Sequence, residues 1–406
     1  MPGHDSDLSH LRVLRVLRIA ITAFFALDGF VFAGWVVRIP AIKEQTGASP
    51  GALGLALLGV SAGAVVTMML TGRLCRRFGS HPVTVVCAVL LSLSVALPPL
   101  THSALALGGV LLIFGAAFGG INVAFNSAAV DLVAALGRPI MPGFHAAFSL
   151  GGMVGAGAGS LVADSLSPTH HLLGITVLGL LVTAVAAPTL LRHEPPAPPD
   201  RPLARNDLES RQDDDREAGP RRLDGRTRGL VVVLGLIAGC TAYGEGALAD
   251  WSALHLEEDL DTSSGVAAIG YTCFALAMTI GRLTGTTLLE RLGRTTVLVA
   301  GGATAAAGML LGSLAPSVWA TLLGFAVTGL GLANIFPVAI ERAGALAGPS
   351  GVATASTLGY LGMLLGPPAI GFMAEWFSLP TALTSVAVLA AFASAIAFAT
   401  RHSAAK

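Results

Sequence analysis

Thr71-Gly72-Arg73-Leu74-Cys75-Arg76-Arg77-Phe78-Gly79-Ser80 and Thr286-Thr287-Leu288-Leu289-Glu290-Arg291-Leu292-Gly293-Arg294 decide how this chain folds. Each is a short basic stretch that closes on a glycine and sits between two long apolar runs. Gly79 and Gly293 are 214 residues apart, and other landmarks repeat at nearly the same offset. Gly119-x-x-Asn122 matches Gly331-x-x-Asn334 at 212, and Leu150-Gly151 matches Leu358-Gly359 at 208. Asp28 in Ala26-Leu27-Asp28-Gly29-Phe30 matches Glu245 in Tyr243-Gly244-Glu245-Gly246-Ala247 at 217. Four landmarks in step mean that the second half repeats the first in the same order.

The runs between these landmarks are membrane spans. The chain has 406 residues, 53% hydrophobic and 12% charged, with a mean hydropathy of +0.74. A soluble domain carries about 25% charged residues. Roughly 20 apolar residues cross a bilayer as a helix. Twelve such stretches can be read: 17–37, 51–71, 83–100, 104–128, 142–163, 172–191, 229–250, 264–285, 296–314, 318–340, 351–373 and 380–400. The hydrocarbon core offers no hydrogen bonds to exposed backbone, so spans are helices or closed barrels. Continuous apolar runs without two-residue alternation select helices. The expected fold is therefore all-α, with twelve transmembrane helices in two pseudo-symmetric six-helix bundles.

Basic residues set the orientation. With both termini in the cytoplasm, 22 of the 24 Lys and Arg fall on the cytoplasmic side, and only Arg38 and Lys43 fall outside. In this scheme Arg282 snorkels to the cytoplasmic interface, and Trp35 and Trp251 sit at the outer one. Segment 192–228 holds six prolines, nine arginines and nine acids with few large apolar residues. It cannot bury a core and reads as a flexible cytoplasmic linker. The domains are then 1–191, the linker 192–228, and 229–406. Arg12, Arg15 and Arg18 precede the first run, but Asp5, Asp7 and the later spans oppose a cleaved targeting peptide.

On these residues the chain resembles the major facilitator superfamily along essentially its whole length. The loops around 72–80 and 286–294 are similar to that superfamily's Gly-x-Leu-acid-basic-x-Gly-basic motif. The resemblance implies cytoplasmic gating loops at Gly72, Arg73, Arg76, Arg77, Gly79, Glu290, Arg291, Gly293 and Arg294. The motif's acid helps to latch one conformation in the family. Arg76 stands in its place in the first copy, and Glu290 keeps it in the second. A closer resemblance is to uncharacterised bacterial inner-membrane members grouped loosely with fucose permeases. It rests on Gly34-Trp35-Val36-Val37-Arg38-Ile39-Pro40, Leu136-Gly137-Arg138-Pro139-Ile140-Met141, Phe144-His145-Ala146-Ala147-Phe148-Ser149-Leu150-Gly151-Gly152 and Glu245-Gly246-Ala247-Leu248-Ala249-Asp250-Trp251-Ser252. It implies a proton-coupled transporter in a bacterial-type plasma membrane and brings no settled substrate. The arginine usual in helix 4 of drug/proton antiporters is missing, and Gly151–Gly159 has the glycines of their helix 5 signature without its proline.

Two carboxylates stand inside apolar spans, where insertion of Asp costs roughly 2.5–3.5 kcal/mol. Such groups are suited to taking and releasing a proton, so Asp28 and Glu245 are proton-coupling candidates. His145 joins them because imidazole titrates near neutrality. The competing readings are a structural Asp28 that is protonated or bonded to a neighbouring helix, a Glu245 near the outer helix end that reaches water, and an interfacial His145 bonded to a carbonyl. Phe32 and Trp35 share a helix face with Asp28 and are candidates for a substrate wall. Asn122, Asn126, Ser149 and Asn334 could meet a hydroxylated solute or pin helix to helix. Asp28 and Glu245 are expected to face a central cavity between the halves.

What is missing narrows the function further. Net charge is zero, which gives no reason for a nucleic-acid partner. Cys75, Cys87, Cys240 and Cys273 lack C-x-x-C spacing, so neither a metal site nor a disulfide framework is expected. His170-His171 has no supporting ligands for catalysis. An ATP-binding G-x-x-x-x-G-K-S/T signature is absent, and no cofactor is implied. With no Lys or Arg in mid-span, organic phosphates and dicarboxylates are disfavoured unless Arg38 or Arg282 turns inward, and a neutral solute or an organic cation fits better. The expected protein is a monomeric secondary transporter of a small neutral, sugar-like solute with protons. Export of amphipathic compounds is the alternative, and a receptor on the same fold is the reading from another class.

Overall fold

The computed structural model describes residues 3–48, 50–162, 165–193, 224–262 and 264–400. The first half runs α1 (Gly3–Val36), the short α2 (Ile39–Thr46), α3 (Pro50–Phe78), α4 (Ser80–Ser94), α5 (Ala104–Leu136), α6 (Met141–Leu161) and α7 (Pro168–Arg192). The second runs α8 (Gly225–Leu254), α9 (Ser264–Leu292), α10 (Arg294–Leu314), α11 (Val318–Leu332), α12 (Ile335–Trp376) and α13 (Leu379–Ala399). No strand occurs among the described residues. Ten helical stretches are long and apolar enough to cross a membrane. One of them, Val318–Trp376, spans 59 residues and contains two crossings. They are separated where Ala347 (φ −139°) and Gly348 (φ 55°) leave helical geometry. With α6, 21 residues long, the described residues make twelve crossings in two six-helix repeats.

The repeat shows in the helix junctions and in the packing. Gly79 (φ 87°) and Gly293 (φ 77°) occupy the same place, immediately before α4 and α10. A positive φ is strained for any residue with a Cβ, which explains a glycine at both ends of the repeat. Within each half the helices pair alike: α1 with α6 as α8 with α12, α3 with α5 as α9 with α11, and α4 with α7 as α10 with α13. In lipid, helices associate through close van der Waals packing, which favours small residues at the contact. Gly151 of α6 lies against the backbone of Ala26 in α1, and Gly362 of α12 against the backbone of Gly239 in α8.

The termini-bearing face closes the molecule. There Gly72 of α3 meets Pro349 and Ala353 of α12, Gly285 of α9 meets Pro142 of α6, and Gly344 of α12 meets Val130 of α5. These contacts join the two halves on that face. The seventh crossing begins at Gly225, four residues before its expected start, and Asp224 caps it. Hydrogen bonds from Thr227 to the capping carboxylate hold its pKa below the usual carboxylate range. Residues 194–223, most of the expected linker, lie outside the described residues.

A Cβ added at Gly151 would run into the Ala26 backbone, whereas one at Gly109 would meet nothing within 4 Å. Gly151→Ala is expected to cost about 1–3 kcal/mol through overpacking. It should lower the melting temperature of detergent-solubilised protein, with Gly109→Ala melting close to wild type. Equal melting of the two variants would count against the close α1–α6 contact.

Candidate central cavity

Between the halves, opposite the sealed face, lies a cavity of about 500 Å³. Its walls come from α1, α3, α5 and α6 on one side and α8, α9 and α12 on the other. Seven phenylalanines, among them Phe25, Phe32, Phe118 and Phe274, line it with Met153, Met278 and Met363. The aromatic wall continues inward. Phe25 meets Phe125 with ring centroids 3.8 Å apart, and Phe32 stacks on Phe118 at 4.9 Å.

The polar groups gather on the floor. Arg282 of α9 is 7% exposed, and its guanidinium donates to Glu245 Oε1 of α8 at 3.1 Å and to Ser149 Oγ of α6 at 2.7 Å. Its Nε reaches the Ala333 carbonyl at 3.4 Å. Asn122 of α5 donates through Nδ2 to the Tyr360 hydroxyl of α12 at 3.3 Å. The Arg282–Ser149 and Asn122–Tyr360 bonds each cross from one half to the other. His145 lies beside them, edge-on to Phe25 and Phe336, with Nε2 buried and unpartnered. Removing Glu245 would leave the buried Arg282 guanidinium as an uncompensated charge, which is strongly unfavourable.

The sequence candidates divide. Glu245, His145, Phe32, Asn122 and Ser149 line the cavity. Trp35, Asn126 and Asn334 do not. Trp35 is 1% exposed and packs on Phe114, so it is neither a substrate wall nor an interfacial anchor. Asn126 turns its amide back onto the Asn122 carbonyl at 2.7 Å, one turn deeper in the same helix. Asn334 donates to the Gly281 carbonyl at 3.0 Å and ties α12 to α9.

Asp28 also departs from expectation. Its carboxyl is fully buried, both oxygens are unpartnered, and it lies behind the lining residues Phe25, Gly29 and Phe32. The cause is helical phase: at about 100° per residue, Asp28 turns toward the edge of the face that those three present.

Arg282 reverses the expected snorkelling: it points inward, and Glu245 explains why. Tyr271 and Tyr360 also reach the wall, so two of the chain's three tyrosines are at the cavity. Their position inside spans was the available signal, and the low tyrosine count concealed it.

At the sealed face the loops are unequal. Arg73, Arg76 and Arg77 are exposed, and among the described residues none of them forms an ion pair. Arg77 sits over the Phe78 ring at 5.2 Å. In the second copy Glu290 receives Arg138 of the other half at 2.8 Å, and Arg294 pairs with the buried Glu341 of α12. The Arg138 guanidinium, bonded to Glu290, is held above its usual pKa. Arg291 is exposed. Glu341 escaped notice in the sequence because its partner lies 47 residues away.

The family model described as Major Facilitator Superfamily matches residues 19–244 and 234–406. The chain belongs to this superfamily. It is a multi-pass membrane protein whose family and fold are those of a transporter rather than an enzyme. An uncharacterised MFS-type transporter from Yersinia pestis is 35% identical over 371 residues, covering 90% of this chain and 91% of the relative. The fold is similar to that of the E. coli fucose:proton symporter FucP. The crystal structure of FucP in the outward conformation has a TM-score of 0.71 at 17% identity, covering 94% of this chain and 97% of the other. The human organic anion transporter MFSD10 has a TM-score of 0.74 at 18% identity, over 95% and 99% of the chains.

The Arg138–Glu290 pair is solvent-exposed, so it should bias the closed face only modestly and weaken with salt. Glu290→Gln is expected to raise the labelling rate of a cysteine introduced at Ala353, which is buried at this face, by a small factor at low salt and by less at high salt. A salt-independent change, or none at low salt, would remove the pair from gating.

Proposed function

We propose that this transporter couples movement of a small solute to protons by alternating access, with 1–191 and 229–406 as the two rocking bodies. The observation that carries this reading is the Glu245–Arg282–Ser149 chain of contacts on the cavity floor. It joins a carboxylate, a buried cation and a hydroxyl of the opposite half. A change in the charge of Glu245 therefore alters a contact between the halves. That is the link a coupled cycle needs, because a ligand or proton shifts an equilibrium only through differential interaction with its two states. Asp28 serves as a second proton site. Its carboxyl is fully buried and both oxygens lack a partner, the setting in which a proton is the partner it can take. His145, which lines the cavity beside Phe25, is a third candidate for carrying a proton.

The solute is of monosaccharide size. Aromatic faces on the wall suit the carbon face of a ring, and Asn122, Tyr271, Tyr360 and Thr279 supply hydrogen bonds. The name of FucP, a fucose:proton symporter, supports uptake by symport. The neutral-solute expectation rests on the absence of a cation from the spans; Arg282 removes that premise. Export of amphipathic compounds has a specific observation in its favour, the seven phenylalanines and three methionines of the wall. The protein works as a monomer in a bacterial-type inner membrane with both termini cytoplasmic, as the segregation of basic residues supports.

In proteoliposomes screened with sugars, polyols and drugs, substrate-driven proton movement should fall at least about ten-fold in Glu245→Gln and should also fall in Asp28→Asn. Proton movement that survives both substitutions would end the coupling assignment for these residues.

A further inference from the structure

The floor holds one guanidinium and one carboxylate that neutralise each other. Resting on the proton-coupled reading above, we propose that the solute is a monocarboxylate of monosaccharide size carried together with one proton. The proton sits on Glu245, and the solute's carboxylate takes over Arg282.

Charge balance carries the argument. Once Glu245 takes a proton, Arg282 keeps only the Ser149 hydroxyl and the Ala333 carbonyl. Its guanidinium is then buried with no counter-charge, a strongly unfavourable arrangement. A neutral solute offers nothing to correct this. A carboxylate does, and the planar guanidinium fork matches it with two parallel hydrogen bonds. The proton's charge and the solute's charge cancel, so the loaded floor is as neutral as the empty one.

The other titratable groups of the described lining are Tyr271, Tyr360 and His145. Tyr271 of α9 lies in the field of Glu245, Arg282 and Asp250, and Tyr360 of α12 in that of Asp28 and Glu245. His145 of α6 lies in the field of Arg282. Among the described lining residues Arg282 is the one permanent cation, so a dianion would leave one charge unmatched. Hydroxyls on the solute would meet Asn122, Tyr360 and Thr279.

The test uses glucuronate, gluconate and quinate, with glucose and sorbitol as uncharged counterparts, and reads apparent affinity by thermal stabilisation of purified protein. Glu245→Gln imitates the protonated acid. It should bind at least one carboxylate about ten-fold tighter than wild type at neutral pH, the scale of a hydrogen bond to a charged group. Wild type should gain comparably on acidification by about two pH units. The double variant E245Q/R282Q, which keeps the floor neutral and guards against misfolding of the single variant, should lose the gain.

No carboxylate gain in either Glu245→Gln or acidified wild type would overturn the proposal, as would an equal gain for glucose or sorbitol. Proton uptake driven by glucose or sorbitol would overturn the carboxylate assignment while leaving proton-coupled transport intact. A carboxylate gain without proton uptake in proteoliposomes would preserve the Arg282 site and end the coupling.

Discussion

A bilayer offers the backbone no hydrogen-bond partners, and every feature of this molecule follows from that constraint. It forces each crossing into a helix. It also removes the hydrophobic drive between helices, so contact depends on how closely two backbones can approach. Gly151 against Ala26 and Gly362 against Gly239 are the same solution used in each half. The pairs they hold, α1 with α6 and α8 with α12, form much of the cavity wall. The glycines therefore act on function indirectly, by setting where Phe32, Ser149 and Glu245 stand.

The second consequence concerns charge. A group that is costly to place in the membrane is retained where the protein can offset or use it. Arg282 and Glu245 offset one another and place their shared charge on the cavity floor. Asp28 has no such partner, and its carboxyl is walled off by its own helix. The two acids occupy equivalent places in the repeat and yet carry different surroundings. One is wired to a cation and to the other half of the molecule, and the other is isolated.

Much of the fold was legible in the sequence because hydropathy and turn chemistry are local. Gly79 and Gly293 were recognisable as landmarks, and both prove to hold a positive φ before the next helix. The Val318–Trp376 stretch reads as two spans, 318–340 and 351–373, where continuity of helix would have hidden the break at Ala347 and Gly348. The cavity was less legible. Asn126 and Trp35 lie on helices that do line it, but their side chains turn into the first half. A helix face read from spacing has no absolute orientation until its neighbours are known.

Arg282 marks the boundary most clearly. In the sequence it stands shortly before the basic loop that holds Glu290, Arg291 and Arg294, close enough to a span end to read as an interfacial arginine. Only the tertiary structure shows Glu245 and Ser149 converging on it from two other helices, 37 and 133 residues away. The sequence by itself determined the number of spans, the repeat and the superfamily, since each depends on composition and order along the chain. The tertiary structure decided which polar groups share the cavity floor, because an ion pair between helices depends on their packing and rotation, which no local pattern encodes.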